Sequence, residues 1–362
     1  MVRVIVNMGG GMDGKRPSMA DVAARAGVSG QTVSRVVNGS PRVDPATRAR
    51  VEQAMRDSGY RVHRAARALR TGRTGTIGAV VSTLATVGNS LMLEAVTEAA
   101  AKRGYDVALV TIGDSLPAAF ARLRDQGVDG VVVVNEASTL AHAADLPSDL
   151  RFAVVDSPAD DRYLRVETDH AGGAAAATRH LIELGHRAIA HIGGPAASYA
   201  AAERERGWRS ALAAAGLDAP PVVRGEWSSE SGRRALGELI ERGKIGHGAA
   251  SGATAVVVAN DQMALGALRA LAERGLGVPE DVSVVGFDDV ADAANYLPPL
   301  TTVRQHFDEL GERVVASLVG EAAGGIRSTR ATEPAESAEP VAAPSIVPAT
   351  LVVRASTAPP RR

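Results

Sequence analysis

Ser18-Met-Ala-Asp-Val-Ala-Ala-Arg-Ala-Gly-Val-Ser-Gly-Gln-Thr-Val-Ser-Arg-Val-Val-Asn38 carries two helix starts and one sharp break within 21 residues. Ser18 is placed to cap a helix over Met19–Ala26, and Gly27-Val28 ends it. Ser29 then caps a second helix over Gly30–Val37, closed by Asn38-Gly39. Val22, Ala23 and Ala26 of the first helix face Val33, Val36 and Val37 of the second. Asp44 with Pro45 behind it starts a third helix, running from Ala46 to Asp57 and stopped by Ser58-Gly59. Three short helices with one tight turn predict a helix-turn-helix unit over 17–61.

The charge pattern around that unit agrees. The whole chain of 362 residues has a formal net charge of −1. Residues 15–73 hold 13 Lys/Arg against Asp21, Asp44, Glu52 and Asp57, a local charge of +9, so the remainder carries −10. A basic module on an acidic body predicts nucleic-acid binding. Only Lys15, Lys102 and Lys244 are lysines, so arginine is favoured along the whole chain and the scarcity of acids in 15–73 is the sharper signal. In a helix-turn-helix the second helix enters the major groove, which aims Gly30, Gln31, Ser34 and Arg35 at base edges. Gln pairs bidentately with adenine and Arg with guanine. The bland alternative is a solvated face on a small bundle.

Outward from this head, residues 1–16 form a Gly-rich leader without helical period. Gly9-x4-Gly14-Lys15 resembles a phosphate loop, but Arg16 replaces the magnesium-holding hydroxyl and Pro17 breaks the helix that should follow. The leader is read as a flexible arm or a misassigned start. Residues 62–74 are short, basic and linker-like. Beyond Gly75, apolar β-branched runs (77–81, 107–111, 131–134, 152–155, 188–192, 254–259, 282–287) alternate with Ala/Leu-rich helical stretches (91–103, 171–184, 203–215, 262–274). That alternation predicts parallel α/β units, and about 250 residues of it fits two lobes. Residues 321–345, rich in Ala, Pro, Glu and Ser, read as a disordered insert. Lobe 1 is expected over about 75–169 and 303–327, lobe 2 over about 170–302 and 345–355, and a tail over 356–362.

Cys is absent, which excludes disulfides, thiolate metal sites and cysteine nucleophiles and fits a reducing cytoplasm. No signal-peptide core and no run long enough to cross a bilayer occurs, so no membrane partner is expected. His180, His186 and His191 show no metal spacing and read as helix-end and strand residues; neither a metal nor a cofactor is expected.

The stretch Ala20 to Asn38 resembles the head of the LacI family of transcriptional repressors, and the similarity continues to about Pro359. It is nearest to the lactose-type repressors of that family. The motifs that carry it are Gly194-Pro195, Glu203-Arg-Glu-Arg-Gly-Trp208, Gly225-Glu-Trp-Ser228 and Val258-Ala-Asn-Asp-Gln-Met-Ala-Leu-Gly-Ala267. Val284-Val-Gly-Phe-Asp-Asp289 and Tyr296-Leu-Pro-Pro-Leu-Thr-Thr302 complete the set.

The resemblance implies an α/β core of the periplasmic-binding-protein type behind the all-α head. It also implies operator contacts at Ser29, Gly30, Gln31, Thr32, Ser34, Arg35, Asn38 and Arg42. The linker is implied to fold into a hinge helix on double-stranded operator DNA, with Leu69 wedged into the minor groove and Ala66 on the same side. The other reading of Leu69 packs it on the body. Gly30 stands where lactose-type repressors have an aromatic residue, so operator preference there should differ.

Ligands of two-lobed α/β folds sit at strand C-termini between the lobes. Asp156, Asn260 and Asp288 each follow an apolar strand, and Arg204, Trp227, Gln305 and Phe307 match effector-contacting positions of lactose-type repressors. Carboxylates, amides and guanidinium bracket vicinal hydroxyls while an aromatic face stacks on sugar C–H bonds. A galactoside or related glycoside is therefore the expected effector. Thr86, Gly88, Asn89, Thr168 and Ala200 depart from the expected ligand wall, which leaves the aglycone open. For Asp261 and Asp289 the expectation is a helix cap.

An Asp156–Asp288 glycosidase pair is the enzyme alternative. Arg204 nearby would keep both ionised, and no nucleophile elbow occurs, so no catalytic residue and no enzyme activity is expected. The rival within regulators is another effector, such as a different sugar or a purine-like corepressor. A homodimer is expected, since the chain lacks a leucine-heptad segment at its end.

Overall fold

The computed structural model describes residues 17–37, 40–60, 72–112, 115–135, 137, 145–245, 252–319 and 345–361. It divides into two compact units, Met1–Thr74 and Gly75–Arg362. Of the expectations above, the leader 1–16, Asn38, Ala66, Leu69, almost all of the linker and the insert 321–344 lie outside the described residues.

The first unit holds α1 (Met19–Ala26), α2 (Gly30–Val37) and α3 (Pro45–Ser58). Ser18 and Asp21 form a reciprocal capping box on α1, and Gly27 turns left-handed at φ 65 to end it. Ser29 Oγ accepts from Thr32 N at 3.1 Å and so starts α2 one residue after the turn. Asp44 caps α3 through Thr47 N, with Pro45 at the first helical position. Val22, Ala23, Val33, Val36, Val51 and Ala54 close the core from all three helices, and Tyr60 covers it.

The second unit begins with β1 (Thr76–Val81), α4 (Val87–Lys102), β2 (Asp106–Thr111), α5 (Leu116–Asp125), β3 (Val131–Val134), β4 (Phe152–Val155) and β5 (Leu164–Thr168). It continues through α6 (His170–Glu183), β6 (Ile189–Gly193), α7 (Tyr199–Ala214), β7 (Val223–Arg224), α8 (Ser229–Glu241), β8 (Ala255–Val258), α9 (Asp261–Glu273) and β9 (Ser283–Val285). A 3-10 turn over Ala291–Asn295 precedes β10 (Thr302–Arg304), α10 (Phe307–Val319), β11 (Ser345–Val347) and β12 (Thr350–Val352).

These form two parallel sheets. The first has the order β11-β5-β4-β3-β1-β2 and the second β7-β6-β8-β9. β3 and β8 are buried along their whole length, which is why they read as unbroken Val runs rather than as alternation. Strand order reverses between β1 and β3 in one sheet and between β6 and β8 in the other. Those two switch points are where crevices open at strand C-termini. β10 and β12 pair antiparallel as a short separate ribbon.

Two expected boundaries need correction. β11 pairs in parallel with β5, so residues 345–347 belong to the first lobe's sheet and not to the second lobe. Residues 356–361 are a strap rather than a tail. Ser356 is fully buried, its Oγ donates to Val284 O at 2.6 Å and accepts from Thr301 N at 2.8 Å, and Arg361 pairs with Asp281 at 2.8 Å. The chain thus passes between the lobes at 168–170, at 304–307 and again at 347–350.

Candidate functional site

In the head, Ser29, Gly30, Gln31, Arg35 and Arg42 are exposed, whereas Thr32 and Ser34 are half-buried. Ser29 and Thr32 hydroxyls bond each other at 3.0 Å, so their first job is to fix the start of α2. Gln31 and Arg35, one turn apart, share the outer side of that helix and project free of its core. Nothing on Gly30 restricts approach: a Cβ there meets no atom within 4 Å.

In the second unit, one cleft of about 410 Å³, mouth included, lies between the lobes. All seven cleft residues singled out from sequence line it: Asp156, Arg204, Trp227, Asn260, Asp288, Gln305 and Phe307. They come from just beyond β4, β8 and β9, from α7 and α10, from the β7–α8 turn and from the crossing at 304–307. Thr86, Gly88, Asn89, Asn135 and Ala200 complete the wall.

The polar groups form a closed circuit. Asp156 Oδ1 accepts from Thr168 N at 3.0 Å, and Thr168 Oγ1 donates to Gln305 Oε1 at 2.9 Å. Gln305 Nε2 donates to Asp288 Oδ1 at 2.7 Å, and that oxygen lies 3.4 Å from Arg204. Arg204 Nε donates to His170 Nδ1 at 3.3 Å, and His170 Nε2 lies 3.0 Å from Asp156 Oδ2, off the line of a good hydrogen bond. Because Nδ1 is the acceptor, the His170 proton sits on Nε2. Asp156 and Thr168 belong to the first lobe, His170, Arg204 and Asp288 to the second. The circuit therefore ties the lobes together beside two of the crossings.

Arg204 is 5% exposed and also donates to Ala259 O. Its guanidinium stands 3.9 Å over the Phe287 ring and 5.5 Å from that of Trp227. Burial pushes the Asp288 carboxyl up, against the pull of Arg204 and Gln305. Trp227 packs against Gly194, where a Cβ would come within 2.3 Å of the benzo ring of the indole. Its Nε1 is buried without a hydrogen-bond partner.

Strain marks the same place. Five non-glycine residues have positive φ among the described residues, and Asn135, Asp156, Trp227 and Asp288 of these line the cleft. Such backbones cost about 1–3 kcal/mol each and persist at sites that over-determine them. Each places a polar or aromatic side chain beyond the end of a strand.

The expected caps fall differently. Asn260 itself caps α9, its Oδ1 accepting from Met263 N at 2.9 Å, while its Nδ2 donates to Trp227 O at 3.1 Å. Asp261 is fully buried and accepts from Thr302 Oγ1 at 2.5 Å and Val290 N at 2.9 Å. Burial first, and then the nearby Asp288, push its carboxyl up to about 8, against the hydrogen bonds from Thr302 and Val290. Asp289 pairs with Arg304 and Arg354, each at 2.6 Å, and caps nothing. His170 and Asn135 were not singled out from sequence. His170 had one available signal, its place directly after Asp169 at the crossing at 168–170. The three histidines read as helix-end and strand residues lie in such places: His191 in β6 donates from Nδ1 to Val257 O at 2.9 Å, stacks on Trp208, and is pushed down to about 4 by burial. No metal-holding cluster occurs among the described residues.

Comparison with known proteins decides the family. The sequence model described as bacterial regulatory proteins, lacI family, matches residues 18–62. One described as a periplasmic binding protein-like domain matches 178–357. The lactose operon repressor of Escherichia coli (strain K12) is 33% identical over 312 residues, 84% of either chain. The chain belongs to the LacI family. Its members are DNA-binding transcriptional regulators, and the head and the two-lobed core described above are their architecture. The crystal structure of the lac repressor dimer bound to operator and the anti-inducer ONPF aligns at a TM-score of 0.77 and 32% identity, covering 95% of this chain and 100% of that one. The complex of the transcriptional regulator CelR with cellobiose aligns at 0.65 and 34% identity, covering 94% and 100%. No helix among the described residues is long and apolar enough to cross a membrane.

Proposed function

We propose that this LacI-family regulator is a cytoplasmic homodimer that represses transcription from a palindromic operator and is released from it by a glycoside held in the cleft. The observation that carries the reading is the closed polar circuit from Asp156 through Gln305, Asp288, Arg204 and His170. It presents carboxylate, amide and guanidinium groups to one space already bordered by Trp227 and Phe307. Vicinal hydroxyls both donate and accept, which suits this mixed set, and the indole offers a face to sugar C–H bonds. The cleft has no role as an acid–base pair in this reading: Asp156 accepts from Thr168 N and Asp288 is engaged by Arg204 and Gln305.

Gln31 and Arg35 read bases, Ser29, Gly30, Thr32, Ser34, Asn38 and Arg42 place α2 in the groove, and Leu69 wedges the minor groove. The dimer reading rests on the family and on the operator-bound lac repressor dimer. A galactoside is the first reading of the effector, by the likeness to the lactose operon repressor. A glucoside is the second, favoured by the likeness to the cellobiose complex of CelR. The test is a gel shift on palindromic fragments from upstream of the coding sequence, with galactosides, glucosides, other sugars and purines. Release by a sugar is expected. Failure to shift any palindromic fragment overturns the repressor reading, and release only without purine, or binding only with it, replaces the sugar by a corepressor.

A further inference from the structure

Two aspartates stand side by side beyond β9, and both have positive φ, 118 at Asp288 and 56 at Asp289. Neither value suits a residue with a Cβ, so the surroundings must hold the turn. β10 and the crossing behind it hold Asp288. Asp288 N donates to Val303 O at 2.7 Å, Gln305 N donates to Asp288 O at 3.3 Å, and Gln305 Nε2 donates to Asp288 Oδ1 at 2.7 Å. Arg304, the residue before Gln305, takes the other aspartate, its Nε donating to Asp289 Oδ2 at 2.7 Å. A second hold on Asp289 comes from the far strand of the same ribbon. Arg354, two residues past β12, donates from one nitrogen to Asp289 Oδ1 at 2.6 Å and from another to Leu300 O at 2.7 Å. Its backbone N–H donates to Thr301 Oγ1 at 2.9 Å. The Asp289 side chain is 5% exposed and that of Arg354 18%, against 50% for Arg304. A pair reaching half into water adds little by itself, so Arg354 is the firmer anchor.

Resting on the glycoside reading above, we propose that Asp289 and Arg354 are positioning residues for the effector, holding the strained turn that aims the Asp288 carboxylate into the cleft. Neither lines the cleft, and among the described residues none beyond Phe307 does. Asp288 does line it, with Gln305 and Arg204 both on its Oδ1. A turn that relaxed to negative φ would swing that carboxylate away from both. Relaxation would also pull the buried Asp289 carboxylate off its arginines, and a buried charge without its partner is costly. Neutralising Asp289 needs only one cation. Here each oxygen is taken by a different arginine, from two strands, which fixes the plane of the carboxylate and with it the backbone that carries it. The last segment of the chain thus reaches the effector site through one guanidinium.

Calorimetry on the full-length protein tests this with lactose, cellobiose, methyl β-galactoside and methyl β-glucoside. Whichever of these binds the wild type is expected to bind Arg354→Met about tenfold more weakly or worse, since a ligand group must then be met by a carboxylate no longer held in place. Arg354→Lys keeps a cation on Asp289 and is expected to regain most of that loss. Asp289→Asn, of the same shape, is expected to lose about fivefold, and it carries the test if Arg354→Met does not fold. Arg361→Ala removes the strap's ion pair to Asp281 and is expected to change sugar affinity less than about twofold, even where it lowers the melting temperature as far as Arg354→Met does. Unchanged sugar affinity in Arg354→Met and Asp289→Asn, no recovery in Arg354→Lys, or an equal loss in Arg361→Ala overturns the positioning role while the glycoside reading stands. A wild type that binds none of the four sugars overturns the glycoside reading and the positioning role with it.

Discussion

His170 shows how much one unassigned side chain carries. It is 1% exposed, accepts from Arg204 on one ring nitrogen and faces Asp156 across the lobe boundary with the other. His170→Ala leaves a buried guanidinium nitrogen and a buried carboxylate oxygen short of a partner, worth about 1–3 kcal/mol. Sugar binding measured by calorimetry is expected to weaken tenfold or more, while operator binding in the absence of sugar persists. An unchanged sugar affinity would make His170 mere filling. Asp261 gives a second prediction at this scale. Its carboxyl is raised to about 8, so the folded state holds a proton that the unfolded chain releases near pH 4. The contribution is fully present below pH 4 and fades as pH rises toward 8, when a buried carboxylate must ionise beside Asp288. The melting temperature of wild type is expected to fall between pH 5 and pH 8 relative to Asp261→Asn, and parallel curves would refute the buried proton. The cleft residues Asp156, Asn260 and Asp288 were legible because each ends an apolar strand. The circuit was not, because its links join residues 12 to 137 positions apart and depend on directions that only the folded backbone sets.

At the scale of elements, the motif Val258 to Ala267 is explained by contact. A Cβ on Gly266 of α9 would sit 1.7 Å from Ser229 O, and one on Gly232 of α8 would sit 2.1 Å from Met263 O. The two helices meet backbone to backbone, each through a glycine, directly behind the Asn260 cap and the Trp227 turn. Gly207 does the same for α7, where a Cβ would approach Ala171 O to 2.1 Å. Gly266→Ala is therefore expected to destabilise the core by about 3 kcal/mol or more, beyond ordinary overpacking, because backbone and not a flexible side chain must yield. Thermal unfolding checks this, with Gly30→Ala in the open start of α2 as a variant expected to change stability little. The fully buried strands were readable as apolar runs, and the head as capped helices. β5 was not singled out, since its pattern Leu164-Arg-Val-Glu-Thr168 is only half-buried and carries two charges. β11 went to the wrong lobe because three residues after a long insert contain no signal for which sheet they join; the pairing with β5 alone decides it.

For the molecule as a whole, the −1 net charge hides a +9 head region on a −10 body, and the two halves of the function separate accordingly. Operator binding by Arg-rich heads displaces counterions, so affinity is expected to fall about a thousandfold or more between 50 and 200 mM salt, if six or more phosphates are engaged. Sugar binding in the cleft displaces none, and its affinity should be nearly flat over the same range. The circuit spans the lobes beside the crossings at 168–170 and 304–307, so hydroxyls entering the cleft would compete for its hydrogen bonds. A ligand shifts a two-state equilibrium only by its differential affinity for the states. If a sugar lowers operator affinity a hundredfold, about 2.7 kcal/mol of coupling, saturating operator must lower sugar affinity by the same hundredfold. Calorimetric titration of the sugar with and without operator measures this directly. Equal sugar affinities in the two titrations would mean that the cleft and the head are uncoupled, whatever the gel shift shows.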